Sequence, residues 1–164
     1  MRGAAGACAS LAAIMLVAGL SCAGSRRIET RQIEEVEGEG RVLIVTRGSD
    51  FKSQILDRLI EDYRQRATLK IVHVRELRHV RPGEYDAMIL MDSRRGFLLF
   101  NGRVKRFLRR TEDKDKLILV MTAAMSNWEW DREDIDVITS ASVQKNIDPI
   151  YDEMSERLDA LLER

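Results

Sequence analysis

The chain has 164 residues, enough for one domain with a hydrophobic core. Its 27 basic and 27 acidic side chains give a formal net charge of zero, so the composition gives no electrostatic reason to expect nucleic acid as a partner. Both cysteines, Cys8 and Cys22, precede residue 23, which excludes disulfides, thiolate nucleophiles and cysteine-ligated metals from a domain built by the rest.

Residues 1–22 have the organisation of a secretory signal. Arg2 is the only charged residue before Arg26, and the residues between them are apolar or small. The stretch ends in "GLSC", which resembles the lipobox of bacterial lipoproteins, where a cysteine after small residues is acylated. The resemblance implies a lipid on Cys22 and an exported protein anchored to the membrane of a bacterial envelope. Ordinary cleavage after Ala23 and an uncleaved anchor, barely long enough to span a bilayer, stay open as alternatives.

The next segment, residues 23–40, reads "AGSRRIETRQIEEVEGEG". It is polar and highly charged and ends in glycines, so we expect a tether between the membrane and the domain. The alternative is a short helix through Ile28, Ile33 and Val36. The folded domain is expected over residues 41–164.

Apolar runs and amphipathic stretches alternate through this domain. The runs are short and continuous, as in strands covered on both faces, and predict strands at 41–46, 69–74, 87–91, 116–122 and 136–139. Apolar residues at helical spacing predict helices at 51–63, 102–110 and 147–162, with Pro149 in the first turn of the last. The alternation predicts an α/β fold with a doubly wound, five-stranded parallel sheet. About a dozen residues separate the last two strands, so the fourth helix should be reduced or lost.

Such sheets bind ligands beyond the carboxyl ends of their strands. The loops to consider are therefore 46–51, 92–102 and 122–134. They hold hydroxyl groups, arginines and both tryptophans of the chain, and they carry no complete set of catalytic residues.

The predicted strands, helices and loops resemble those of the flavodoxin-like family in their order and spacing. The similar segments are "YDAMILMDS" (85–93), Phe100 two residues before Gly102, "VKRFLRR" (104–110) and "KLILVMTA" (116–123). The resemblance covers about residues 41–164. It implies a flavodoxin-like sheet and, as the concrete biochemistry of that family, FMN-dependent electron transfer.

The turn after the first strand, "TRGSDFKS" (46–53), stands where flavodoxins hold the FMN phosphate. Hydroxyls, small residues and N–H groups at a helix start capture the anion there. The resemblance implies this role for Thr46, Arg47, Gly48 and Ser49. Asp50 puts a carboxylate into the same space, and Phe51 stands where a threonine is expected. The alternative is that Ser49 or Asp50 caps the first helix.

The other two loops supply the remaining flavin contacts that the resemblance implies. Ser93 and Phe100 lie in the loop after the third strand, and Trp128 and Trp130 lie after the fourth. A flat apolar cofactor is covered by flat apolar side chains, so the tryptophans would stack on the isoalloxazine ring. The alternative is that one tryptophan closes the core and the other covers a partner surface.

The stretch "DVITSAS" (136–142) resembles the target at which a flavin transferase esterifies FMN onto a Ser or Thr hydroxyl, which implies Ser142 as acceptor. The alternative is an ordinary edge strand, with Ser140 or Ser142 starting the last helix. The two histidines, His73 and His79, have no partners at ligand spacing, so no metal site is predicted.

Two functions of different class follow. The first is an envelope-tethered redox protein that holds FMN. The second is a flavin-free scaffold whose sheet edge binds a protein or cell-wall partner. Fold alone does not decide between them, because function lies in the site.

Overall fold

The computed structural model describes residues 28–33, 40–93, 101–123 and 135–164. The strands are β1 (Arg31–Ile33), β2 (Gly40–Thr46), β3 (Ala67–His73), β4 (Ala87–Ser93), β5 (Leu117–Ala123) and β6 (Asp136–Ala141). The α-helices are α1 (Asp50–Tyr63), α2 (Gly102–Arg110) and α3 (Ile147–Leu162). Short 3₁₀ helices cover Val74–His79, Pro82–Glu84, Lys114–Lys116 and Gln144–Asn146.

The six strands form one sheet in the order β1-β3-β2-β4-β5-β6. Strands β2 to β6 are parallel, and β1 is antiparallel to β3. From β2 the chain moves to β3 on one side and then to β4 on the other. The carboxyl ends of β2 and β4 therefore form the switch point of the sheet, where the crossovers leave in opposite directions.

The predicted α/β class with a mostly parallel sheet is confirmed, but the sheet has six strands and not the predicted five. The additional strand β1 lies inside the segment expected to be a tether, and Ile28 and Ile33 pack against the core. Its backbone groups pair with the outer edge of β3, which would otherwise stay open to association. The reduced fourth helix was predicted for residues that lie outside the described ranges.

Helices cover both faces of the sheet and bury one apolar cluster each. On one face α1 and α3 pack over side chains such as Ile44, Ile89 and Val120. On the other face α2 and the Val74–His79 helix pack over side chains such as Leu43, Leu90 and Leu119. Consecutive strand residues thus belong to opposite clusters, which is why the strands read as continuous apolar runs. Within the described ranges no helix is both long and apolar enough to cross a membrane.

Candidate functional site

Polar side chains gather at the carboxyl ends of β2, β4 and β5. Each strand has a central apolar run that is followed by a polar residue, and these residues, Thr46, Asp92 and Thr122, are all at most 1% exposed. Lys52, in the first turn of α1, is only 3% exposed. Buried polar groups need hydrogen-bond partners, so the contacts of this cluster decide what the sheet edge can do.

The turn after β2 is held by its own side chains. Gly48 has a φ of 85°, a conformation that favours glycine, and its N–H donates to Thr46 Oγ1 at 3.3 Å. Ser49 is the N-cap of α1, since its Oγ accepts the Lys52 N–H at 3.3 Å. The interpretation of Ser49 as a helix cap is confirmed. Asp50 opens the helix with an exposed carboxylate.

A chain of hydrogen bonds links α1 to the ends of two strands. Lys52 Nζ donates to Ser93 Oγ at 2.6 Å, and Ser93 Oγ lies 3.1 Å from Thr122 Oγ1. Thr122 Oγ1 in turn donates to the Asp92 carbonyl at 3.4 Å. Because the threonine hydrogen is used there, the Ser93 hydroxyl donates to Thr122. The buried lysine thus ties together α1, β4 and β5.

An ion pair lies beside this chain. Arg47 Nη2 is 3.5 Å from Asp92 Oδ1, and the two side chains are 22% and 1% exposed. The N–H of Asn101 donates to the other carboxylate oxygen at 3.4 Å. Within the described residues Arg47 Nε and Asp92 Oδ1 are buried without a hydrogen bond. The pair is therefore close enough for attraction yet keeps hydrogen-bonding capacity for a further polar group.

His73 is the last residue of β3 and lies beside the polar cluster at the carboxyl edge of the sheet. It is the register partner of Thr46, and its Nδ1 accepts the Arg75 N–H at 3.1 Å, which caps the Val74–His79 helix. Burial lowers the pKa of His73, and the Arg75 and Arg47 guanidinium groups lower it further. His79 is exposed and accepts from Arg78 Nε at 2.7 Å. Among the described residues, no three His, Cys, Asp or Glu side chains group as metal ligands.

The structure brings five of the predicted residues to one edge: Thr46, Arg47, Gly48, Ser49 and Ser93. Sequence reasoning missed Lys52, Asp92 and Thr122. Lys52 reads as one of the charged spacers of an amphipathic helix. Asp92 and Thr122 each follow an apolar run at the end of a strand. That change from apolar to polar residues was the sequence signal that could have identified them. Cys22, Phe100, Trp128 and Trp130 lie outside the described residues.

Ser142 is exposed beyond the end of β6, where its N–H donates to the Ala123 carbonyl at 3.0 Å. Strands β4 and β5 separate it from the turn after β2. The prediction that Ser140 or Ser142 starts the last helix was wrong, because α3 begins at Ile147. Asn146 lies between, and its Nδ2 donates to Ser140 Oγ at 2.9 Å.

Comparison with known proteins adds no assignment. No protein-family model matches the chain, and no curated protein sequence matches it. The function is therefore argued from the edge itself. Among the described residues its charged groups are Arg47, Lys52, Asp50 and Asp92, two cations and two carboxylates, so it suits a polar group better than an apolar one.

Proposed function

We propose that this protein is a flavodoxin-like binding domain of the bacterial envelope, tethered by a lipid on Cys22 and working without flavin. The strand order β3-β2-β4-β5-β6 supports the family, since flavodoxin-like sheets follow the corresponding order 2-1-3-4-5. The switch point between β2 and β4 is the ligand end of such a sheet. The partner is a protein or cell-wall component that presents a polar group.

The observation that carries the flavin-free function is the use of the helix start by the protein itself. A phosphate at this place would take N–H groups from the first turn of α1. The Lys52 N–H is bonded to Ser49 Oγ, and the Lys52 side chain is directed to Ser93. Asp50 places a carboxylate in the same turn, where it repels a phosphate dianion. The residues present therefore do not fit an FMN phosphate.

FMN-dependent electron transfer is the second candidate. It is favoured by the hydroxyls of Thr46 and Ser93 together with Arg47 at the switch point. A covalent form of this candidate would carry FMN on Ser142. In either form the flavin would supply the redox chemistry, and the residues of this chain would supply contacts and orientation.

Visible absorption spectra separate the two candidates. The full chain is purified in detergent and measured as isolated, with added FMN, and after co-expression with a flavin transferase. We expect no protein-associated flavin in any of the three samples. A flavin spectrum that follows the protein through gel filtration contradicts the proposal. Thr46→Val would then test the switch point, and an intact mass with one added FMN would identify the covalent form.

The tether is tested separately. Cys22→Ser should move the protein from the membrane fraction to the soluble fraction, because it removes the acylated side chain. Cys8→Ser is the matched control and should leave fractionation unchanged. Membrane association that survives Cys22→Ser would contradict the lipid anchor.

A further inference from the structure

The charges of the neutral chain are separated between the two faces of the sheet. Helix α2 carries five basic residues and no acidic one. The Val74–His79 helix beside it adds two arginines and one acidic residue, Glu76. Arg110 binds backbone carbonyls, and we call the other exposed basic residues of these two helices the basic face: Arg75, Arg78, Arg103, Lys105, Arg106 and Arg109.

The basic face has no ion pairs of its own within the described ranges. Arginines of α1 and α3 behave differently, since Arg58 pairs with Asp148 at 2.6 Å and Arg157 pairs with Glu153 at 2.5 Å. On α2 the basic side chains repeat at spacings of three and four, where like charges repel on a helix. An anionic surface would relieve this repulsion, so the basic face is suited to such a partner.

Strand β1 determines where the preceding chain leaves the domain. It runs antiparallel to β3, with Arg31 opposite Ile71 and Ile33 opposite Leu69. The chain before Arg31 therefore lies at the carboxyl end of β3. Ile28 lines a cavity of about 280 Å³ with Ser53, near the start of α1. The N-terminal segment thus reaches the domain at the carboxyl edge of the sheet.

The reach of that segment is short. Five residues separate Cys22 from Ile28, and fully extended they let the two Cα atoms lie at most ~21 Å apart. Helix α2 starts beside the carboxyl end of β4, since the N–H of its N-cap Asn101 donates to the Asp92 carboxylate at 3.4 Å. Three strand spacings, ~14 Å, separate β1 from β4 in the sheet. A lipid on Cys22 would therefore keep the start of the basic face close to the membrane surface.

We propose that the basic face lies against anionic lipid headgroups of the membrane that carries the lipid on Cys22, with its end at the start of α2 nearest to the anchored segment. This inference rests on the tether of the proposed function. Two signals act together in it, one acyl anchor and one basic surface, and such pairs hold proteins more firmly than either signal alone. Each basic residue near an anionic surface strengthens the association roughly fivefold.

The test uses the processed full chain in vesicles of phosphatidylcholine alone or of equal parts phosphatidylcholine and phosphatidylglycerol. A fluorophore is attached to Gly102→Cys at the start of α2 or to Glu156→Cys on α3. Gly102 tolerates a side chain, since a Cβ there meets nothing within 4 Å, and Glu156 is exposed. Quenching by lipids with a nitroxide headgroup reports which side faces the membrane. We expect stronger quenching at residue 102, in the anionic vesicles only.

Charge reversal sharpens the test. Arg106→Glu on the basic face should lower the ratio of the two quenching rates at least about fivefold. Arg164→Glu makes the same change of charge at the exposed C-terminal residue, away from the basic face, and should leave the ratio unchanged. Added salt should weaken the preference in the unsubstituted chain.

The outcomes separate the surface from the tether. Equal quenching of both labels on vesicles that carry the protein overturns the basic face and leaves the tether standing. The same preference in phosphatidylcholine alone also overturns it. Protein that stays in the supernatant, or a free Cys22 that reacts with the fluorophore, overturns the tether and the inference together. A further outcome is that the fluorophore at residue 102 is shielded from solvent in a way that depends on protein concentration and not on lipid. That result assigns the surface to a second copy and overturns the membrane contact.

Discussion

The two helical layers bury similar apolar interiors and present opposite charges. Helix α2 has five basic and no acidic residues, whereas α3 has five acidic residues and one arginine. The formal net charge of zero hides this separation completely. The charge balance of a whole chain therefore says little about any one face, and partners have to be inferred face by face.

The layers also differ in how they use their charged groups. Between α1 and α3, Tyr63 donates to Asp159 at 2.9 Å and Tyr151 donates to Asp62. Burial, followed by these carboxylates, raises the pKa of both tyrosines. In the acidic layer, some of the carboxylates thus hold its own two helices together. The basic layer leaves most of its charge on the surface, which is the basis for assigning it an external partner.

The largest effects should be the same in both layers, because both interiors are closely packed. Phe107 in α2 is 1% exposed and Leu158 in α3 is fully buried. We expect Phe107→Ala and Leu158→Ala each to lower the free energy of unfolding by about 2–5 kcal/mol, measured by urea denaturation. Lys105→Ala and Glu156→Ala are exposed controls that should stay within about 0.5 kcal/mol. A large cost in one layer and a small one in the other would show that the two interiors are not equivalent.

The next effect concerns the one arginine of α2 that has an internal role. The Arg110 guanidinium donates to the Val80 carbonyl at 2.7 Å, to the Arg78 carbonyl at 3.3 Å and to the Leu77 carbonyl. Arg110→Met should lower the free energy of unfolding by about 1–2 kcal/mol, because it leaves carbonyl groups at the end of the 3₁₀ helix without these donors.

Arg109→Met is the matched control. It removes the same charge from the neighbouring residue, which belongs to the basic face, and should change stability by less than about 0.5 kcal/mol. Equal losses from the two variants would mean that Arg110 stabilises the domain through its charge rather than through the carbonyl bonds.

Much of the fold could be predicted from the sequence. The five parallel strands and the helices are long, periodic segments whose buried sides are fixed by the sheet, so local pattern and tertiary structure agree. Strand β1 was missed because Arg31 and Gln32 are exposed and only Ile33 is apolar. It becomes a strand because it pairs with the open edge of β3, and this long-range contact cannot be seen in the local composition.

The candidate site was less predictable. The turn 46–49 could be located because a glycine and two hydroxyl residues follow an apolar strand. The role of Lys52 could not be predicted, since a lysine between apolar helix residues normally points to solvent. Here its side chain reaches across to Ser93, whose position depends on the sheet order. Contacts between residues about 40 positions apart require the fold before they can be read.

A smaller effect concerns charge reversal, which should raise the free energy of unfolding on the basic face and lower it on the acidic one. Arg106 stands three residues from Arg103 and from Arg109, and four from Arg110. Arg106→Glu replaces these three repulsions by attractions and should raise the free energy of unfolding by about 0.5–1 kcal/mol at low salt. Asp148→Lys removes the exposed ion pair with Arg58 and a favourable charge at the start of α3, so it should lower stability by about 0.5–1 kcal/mol. Both effects should shrink in high salt. A destabilising Arg106→Glu would mean that this arginine has a structural role.

The smallest effect is the pH dependence that His73 gives to stability. In the unfolded chain its pKa should lie near ~6.5, and in the folded domain burial, Arg75 and Arg47 hold it lower. Between these two pKa values the unfolded state binds more protons, so the free energy of unfolding falls as the pH is lowered through that window. Above it both states are neutral at this residue and the effect vanishes.

His73→Asn should flatten this slope while preserving the cap, because an asparagine oxygen can accept the Arg75 N–H in place of Nδ1. His79→Asn makes the same change at the exposed histidine and is the matched control for the substitution itself. Urea denaturation between about pH 5 and 8 measures both variants. Since Arg47, Arg75 and Arg103 lower the pKa and Glu76 opposes them, Glu76→Gln should steepen the slope. If it does, neighbouring charges act on the pKa of His73, and an anion that binds the arginines should make the domain less sensitive to acid.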